Sequence, residues 1–274
     1  AAGFAAEGYA KIKRIPGLSI VTSGPGATNL VTSIANCFYD SIPCIFIAGQ
    51  INSKFLRPDK SIRQVGFQET DIVSIVKPVA KYAVMIKDPN KIKYELEKSY
   101  NICKSGRMGP IFLDIPMDIQ KAQIDEKKLI DYKKKINKPK YNINKVRTSI
   151  KKYLRDLNKS VRPIFLVGGG LQLTNNSKKI LKISKLLQIP CVPTWNGIDT
   201  ITSDFQFYGG RVGSYGGPGR NFAIQNSDLL FLPYLLLELM HQCTRNEYGF
   251  EPFRDVYRVC TYLGVDVDGA DVQR

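Results

Sequence analysis

The chain has 274 residues, a length that suits about two domains, and 43% of them are hydrophobic, as in ordinary globular proteins. No stretch is long and apolar enough to cross a bilayer, so the sequence argues against a membrane protein. The formal net charge is +16, but the lysine excess gathers between Asp125 and Asp156, without an RNA-binding signature or interleaved aromatics, so no nucleic-acid partner is expected.

The chain opens mid-pattern with "AAGFAAEGYA", without Met and without a visible signal peptide, and reads as a piece of something longer. Ala1 to Arg14 is Ala-rich and helix-prone. Leu18–Ser23 reads as a buried strand, Ala27–Asp40 as a helix, and Pro43–Gly49 as a second buried strand. Tyr82–Ile86 is a third strand. Asp88–Gly106 carries helix signals at both ends: Asp88 to cap it, Pro89 for its first turn and Gly106 to stop it. Gly109–Pro116 is a fourth strand. Strands alternating with helices predict an α/β fold with a mainly parallel, doubly wound sheet over residues 1–120.

Residues 121–144 are Lys-rich without apolar periodicity and are expected to be a solvated linker. A second α/β pattern fills residues 145–274. It holds an amphipathic helix from Val146, a strand over Arg162–Gly170 ending in three glycines, a helix from Asn175 to Ile189 and a short strand at Pro190–Trp195. A Gly-rich stretch follows at Gly209–Asn221, and Tyr262–Asp268 reads as a last strand. From about residue 233 the composition changes: no Lys follows Lys185 and no Ile follows Ile224. Pro233–Cys260 fits neither the composition nor the rhythm before it, and a reading-frame disruption there is the hypothesis.

Chemistry is thin in the usual places. The cysteines (Cys37, Cys44, Cys103, Cys191, Cys243 and Cys260) are scattered, with no CxxC and no paired histidine. That argues against zinc and disulfides, and for a reducing, cytoplasmic compartment. His241 is the only histidine, and nothing near it resembles a nucleophile turn. The glycines are more informative. Gly24-Pro25-Gly26 ends a strand and opens a helix, the place where open α/β sheets bind ligands; a plain tight turn is the alternative. Gly168-Gly169-Gly170 also ends a strand, without full dinucleotide spacing, and with Gly213, Gly216, Gly217 and Gly219 it suggests backbone approaching a nucleotide, or Gly-rich surface loops. In "GFQETD" (Gly66–Asp71), Gln68 can fix a substrate or a loop, or Glu69 and Asp71 can start a solvated helix. Lys77, Lys81 and Arg107 are candidate cations or ordinary surface residues.

In order and spacing, "AAGFAAEGYA", "SIVTSGPGATNLVTSIANCFYDSIPCIFIAGQ", "GFQETDIV", "KPVAKYAVMIKDP", "SGRMGPIFLDIPMDIQ" and "VGGG" resemble the acetolactate synthase branch of the thiamine diphosphate enzymes, from Ala1 to about Leu230. The resemblance implies a thiamine diphosphate pyrimidine-binding domain followed by a central Rossmann-like domain, with a third domain that holds the diphosphate through Mg²⁺. It implies a homodimer or homotetramer, and decarboxylation of a 2-oxo acid, pyruvate first, with the enamine joined to a second carbonyl. Gly24, Pro25 and Gly26 would lie beside the pyrimidine, with Asn29 supporting the loop. Phe67 and Gln68 would line the substrate channel, with Lys81 near its mouth. Arg107, Gly168, Gly169, Gly170, Thr194, Gly213 and Gly216 would face FAD where it binds, with Asp266 and Asp268 near it. The essential glutamate of the family would lie just upstream of Ala1, and Glu7 does not replace it. The third domain's GDG…N motif is absent, so no catalytic residue or metal ligand is expected in this chain, and the chain alone is expected to be inactive. "SIRQVGFQE" departs from the biosynthetic pattern toward enzymes of surface-polysaccharide pathways, which leaves acyl donor and acceptor open. A non-catalytic homologue that binds nucleotide or a full-length partner subunit is the alternative.

Overall fold

A computed structural model describes residues 1–59, 61–133, 143–173, 177–213 and 218–232. The chain divides into two compact units, Ala1–Lys138 and Pro139–Arg274.

The first unit begins with helix α1 (Ala2–Lys13) and strand β1 (Gly17–Val21). A short helix α2 (Pro25–Thr28) leads into α3 (Val31–Tyr39), then β2 (Cys44–Gln50). Helix α4 (Ile72–Val76) precedes β3 (Tyr82–Met85), and α5 (Ile92–Lys104) precedes β4 (Ile111–Pro116) and α6 (Met117–Lys121). The sheet order is β1-β2-β4-β3 and every pairing is parallel. All four carboxyl ends therefore lie along one edge of the sheet. Alternate residues of β2 (Cys44, Phe46, Ala48) join Phe112 of β4 in a core closed by Ala6 and Ala10 of α1, Ile34 and Cys37 of α3, and Ile72 and Val76 of α4. The step from β3 back to β4 runs against the earlier steps, so a right-handed crossover carries α5 to the opposite face, where it packs on β2 and β4.

In the second unit, α7 (Ile143–Leu157) precedes β5 (Pro163–Val167), which leads into α8 (Gly170–Leu173). Helix α9 (Ser177–Leu187), β6 (Cys191–Pro193), α10 (Pro218–Gln225) and β7 (Leu229–Phe231) follow. The order is β6-β5-β7, again all parallel. The central strand feeds two cores by strict alternation. Ile164 and Leu166 pack with Val192, Ile224 and Leu230; Phe165 and Val167 pack with Leu171, Ile180, Ile189 and Cys191. Both units are thus α/β with parallel sheets, as the sequence predicts.

Three expectations change in detail. The helix expected over Ala27–Asp40 starts earlier, at Pro25, and breaks near Leu30 into α2 and α3. Proline pre-sets the backbone angle of a first helical residue, so Pro25 is recruited into the helix. Helix α4 is the helix start that the sequence allows at Glu69 or Asp71, with Ile72 and Val76 buried where a solvated start is expected; Asp71 caps it, accepting from Ser74 N at 3.3 Å. The expected solvated linker is partly tied down: Tyr132 packs edge-on against Tyr94 and its N–H donates to Glu97 of α5 at 2.8 Å, while Asp131 pairs with Lys93. The change of character after residue 233, the strand over Tyr262–Asp268, and His241, Cys243 and Cys260 lie outside the described residues. Cys37, Cys44, Cys103 and Cys191 are buried free thiols.

Candidate functional site

The residues after β1 make the most constrained turn of the first unit. Gly24 has φ +57° and ψ −116°, a region closed to residues with a Cβ. A Cβ placed there would also stand 2.8 Å from the carbonyl oxygen of Gln68 and 2.9 Å from its Cβ. Gln68 itself sits at φ +64°, which is costly for a side chain. Two unusual backbone positions thus meet, 44 residues apart in sequence, at the carboxyl edge of the sheet. The reason for glycine here is an internal contact and a positive φ. Pro25 and Asn29 are exposed around the turn, with Asn29 N donating to Pro25 O at 3.1 Å.

Such strain persists only where neighbouring bonds fix it. Glu69, 8% exposed, accepts from Arg57 N at 2.6 Å through one carboxylate oxygen and from Val65 N at 2.8 Å through the other. Burial works against its charge, but the N–H groups of Val65, Arg57 and Gly66 prevail and hold its carboxyl below the usual range. On the other side of Gln68, Thr70 O accepts from Gln50 Nε2 at 2.9 Å. The same amide nitrogen donates to Asp114 Oδ2 at 3.0 Å, and Gln50 Oε1 accepts from Ile51 N at 3.0 Å. Asp114 is fully buried on β4, and its Oδ1 has no partner. Burial pushes its carboxyl up to about 7; the Gln50 bond opposes the rise, and the charge of Asp71 adds to it. Phe67, by contrast, is 85% exposed. Beside this loop an open depression of about 470 Å³ is lined by Arg57, Arg63, Glu69, Thr70, Asp71, Ser74 and Ile75.

The structure therefore brings Gly24, Pro25, Gly26 and Gln68 together, and carries Phe67 on the same loop. It does not bring Lys81 or Arg107 to them. Both precede strands and stand at the opposite, amino edge of the sheet. The Lys81 ammonium donates to the carbonyls of Ile102 (2.9 Å), Ser105 (2.6 Å) and Arg107 (2.5 Å) at the end of α5. Arg107 donates to Ser41 Oγ at 2.8 Å and Tyr39 O at 3.2 Å. Gln50, Glu69 and Asp114 are not singled out as site residues by the sequence. A signal for two of them is present: each is a polar residue inside or closing an otherwise apolar run that reads as a strand, "CIFIAGQ" and "IFLDIP".

In the second unit, Gly168, Gly169 and Gly170 leave the carboxyl end of β5. A Cβ at Gly169 would stand 2.6 Å from Asn196 O, so the glycines let the turn after β6 approach. Thr194 N donates to Val167 O at 2.9 Å, and its buried hydroxyl oxygen has no partner. Gly213, at φ +120°, faces open space at its Cβ position and is held by Asn221, which accepts from its N–H and donates to its carbonyl, both at 3.2 Å. Val212 N donates to Pro193 O at 3.3 Å, which keeps Gly213 at the same edge as Thr194. Gly216, Asp266 and Asp268 lie outside the described residues. Among the described residues there is no cluster of three metal-ligating side chains, and no helix is long and apolar enough to cross a membrane.

Comparisons with known proteins agree with this layout. Residues 1–75 match the family model for the thiamine pyrophosphate enzyme N-terminal TPP binding domain, and residues 150–232 match the model for the central domain. The chain is 34% identical over 231 residues to a probable acetolactate synthase large subunit of Methanocaldococcus jannaschii, covering 84% of this chain and 38% of that protein. It is 35% identical to the acetolactate synthase large subunit of Corynebacterium glutamicum (84% of this chain, 35% of that protein). It is 31% identical to the acetolactate synthase isozyme 2 large subunit of Escherichia coli (84% and 40%). The chain thus spans two-fifths or less of the length of these relatives. With the two matched domains in the family's order and together covering more than half of it, the chain belongs to the thiamine pyrophosphate enzymes and is acetolactate synthase-like.

Proposed function

We propose that this chain supplies the pyrimidine-binding and central domains of a thiamine diphosphate-dependent carboligase of acetolactate synthase type. Its substrate would be a 2-oxo acid, pyruvate first, whose two-carbon remainder after decarboxylation is joined to a second carbonyl. The observation that carries the reading is the Gly24–Gln68 lock. It lies at the carboxyl edge of a parallel sheet, where ligands of open α/β folds bind, and inside the segment matched by the N-terminal TPP binding domain.

Thiamine diphosphate, when bound, supplies the carbanion chemistry. The chain's own part is to position it. The Gly24, Pro25 and Gly26 backbone, with Asn29 beside it, would face the pyrimidine. Gln68 would present its amide, and the exposed Phe67 a ring, to the substrate. An aromatic held outward on a loop tied at several points suits a ligand or a neighbouring subunit, since it adds nothing to this unit's core. In the second unit the Gly168–Gly170 turn, Thr194 with its unpartnered hydroxyl and Gly213 would take FAD, together with Gly216, Asp266 and Asp268; Arg107 stays with that group as a proposal. Mg²⁺ would be held elsewhere, by a third domain. The catalytic form would be a homodimer or homotetramer, and its compartment the cytoplasm.

The test is direct. The gene is sequenced with its flanks, and its product is titrated with thiamine diphosphate and Mg²⁺, then assayed for pyruvate consumption. Saturable cofactor binding and acetolactate formation are expected, with flavin absorbance in the purified protein if FAD binds. A product that neither binds thiamine diphosphate nor consumes any 2-oxo acid overturns the reading.

A further inference from the structure

Gly24 is joined to the interior of the sheet by an unbroken line of contacts. It touches Gln68, whose left-handed backbone is two residues from Thr70. The Thr70 carbonyl is held by Gln50 at the end of β2, and Gln50 is held by Asp114 on β4. Both hydrogens of the Gln50 amide are used, one donated to Thr70 O and the other to Asp114, and its oxygen accepts from Ile51 N. Its orientation, and so the place of Thr70, depends on the carboxyl of Asp114.

That carboxyl is an awkward anchor if charged. Asp114 is fully buried and one of its oxygens has no partner. Of the elements packed on β4, β2 offers the neutral Gln50, the register neighbour on β3 is Met85, and the cap of α4 is Asp71, a like charge that itself pairs with Arg57 at 3.8 Å; α5 and α6 also pack on the strand, but Asp71 is the one charge that acts on Asp114. No cation answers it among the described residues. An ionised carboxylate in such a place is relieved by admitting water, and the segment that closes the site is Thr70 and the start of α4.

We propose that Asp114 and Gln50 are positioning residues that lock Gln68 against Gly24, and that the lock holds while Asp114 is protonated and loosens when it ionises. The lock itself is independent of the proposed function; that it positions the thiamine-side turn rests on that reading.

Two measurements separate these claims, the first on the chain and the second on the product of the gene sequenced with its flanks. Trypsin cleavage after Arg63, in the loop that the lock restrains, is compared in wild type and Asp114→Asn at about pH 6 and about pH 8.5, either side of the raised value. Asparagine still accepts from Gln50 and never ionises, so dividing by its rate removes the protease's own pH response. We expect the wild-type to variant ratio to rise about fivefold at the higher pH, and Gln50→Leu to be cleaved fast at both. An unchanged ratio overturns the lock. Should Asp114→Asn fail to fold, the side-chain amide protons of Gln50 are followed by NMR in the wild type. They must shift with a midpoint near neutrality, and a flat titration overturns the lock equally. The second measurement is thiamine diphosphate affinity, expected to fall above neutral pH in wild type but not in the variant. A pH-dependent cleavage ratio without any thiamine diphosphate binding keeps the lock and removes the ligand; binding with identical pH profiles in both proteins overturns the positioning.

Discussion

The turn after β1 and the turn after β5 both put glycine where a parallel strand gives way to a helix, but different bonds hold them. The Gly24 turn rests on a segment far away in sequence, which is pinned by buried polar side chains: Glu69, Gln50 and Asp114. The Gly169 turn rests on the next strand's own turn, through the backbone of Asn196 and the Thr194–Val167 bond. Side-chain networks in a low-dielectric interior are strong when complete and costly when one member is lost or charged. Backbone packing carries no titratable group. The first turn is therefore conditional, on pH and on three side chains, while the second is fixed by backbone contacts and a backbone hydrogen bond.

The largest break in that comparison is Gly24→Val. It forces a β-branched residue into a left-handed region and drives its Cβ into the Gln68 carbonyl. Each of these costs on the order of 1–3 kcal/mol. The first unit is expected to lose most of its stability in urea unfolding, with thiamine diphosphate binding abolished. Binding within tenfold of wild type would show that the turn does not depend on the lock.

Next in size is the pH response of the first unit, because two of its buried carboxyls, Asp114 and Glu69, move in opposite directions. The Asp114 carboxyl is raised to about 7 from 3.8, so its contribution is fully present below the unfolded value and is lost as pH rises through about 7. A rise of that size corresponds to about 4 kcal/mol as an order of magnitude. Glu69 is lowered, so its contribution is present above the ordinary glutamate value and is lost as pH falls through the folded one. Urea midpoints of the first unit should therefore peak near about pH 4, fall on the acid side as Glu69 is protonated, and fall steadily from there to about pH 7, levelling off above it. Glu69→Gln should remove the acid-side decline and cost about 2 kcal/mol or more, since only the amide oxygen can accept: of the bonds from Arg57 N and Val65 N one loses its charge and the other is lost. A flat profile would mean that the two carboxyls are hydrated in solution.

How far this is legible in the sequence depends on the range of the interaction. Strands such as "CIFIAGQ" and "IFLDIP" announce themselves, because a buried parallel strand is a short apolar run bounded by Gly or Pro. The glycine turns are visible for the same local reason, and so is their edge of the sheet. Helix α4 is half legible: Asp71 marks a helix start, but five residues before Pro78 cannot show a helical period or which face is buried. The lock is hidden. Nothing near Gln50 says that it meets a residue 64 positions later, and nothing near Glu69 says that both of its oxygens turn back to residues 57 and 65. The sequence offers glycine facing a ligand, or a plain tight turn, as the reason for Gly24; the contact with Gln68 is a sufficient reason by itself.

In the second unit Gly169→Ala should cost about 1–2 kcal/mol, since a methyl group 2.6 Å from Asn196 O must push that turn aside, with no left-handed backbone to strain further. The loss should be independent of pH between about 4 and 7, where the Asp114 response of the first unit lies. A pH-dependent loss would show that the second turn too is held by a charged group.

The smallest effect is expected at Lys81, and it separates two roles that the sequence leaves open. Its ammonium gathers three carbonyls around the end of α5 and the turn into β4. These carbonyls carry the negative end of the helix dipole, so the cation suits them. The site is part-exposed, however, and water replaces most of what is lost when the lysine is removed, so Lys81→Met should cost only about 1 kcal/mol. Because Lys81 stands at the amino edge and Gly24 at the carboxyl edge, thiamine diphosphate affinity and the KM for pyruvate should not move in the assembled enzyme. A KM raised tenfold at unchanged stability would instead return Lys81 to the mouth of a substrate channel. It would also mean that the amino edge of this sheet, engaged here with its own backbone, is turned toward the substrate by a neighbouring domain or subunit.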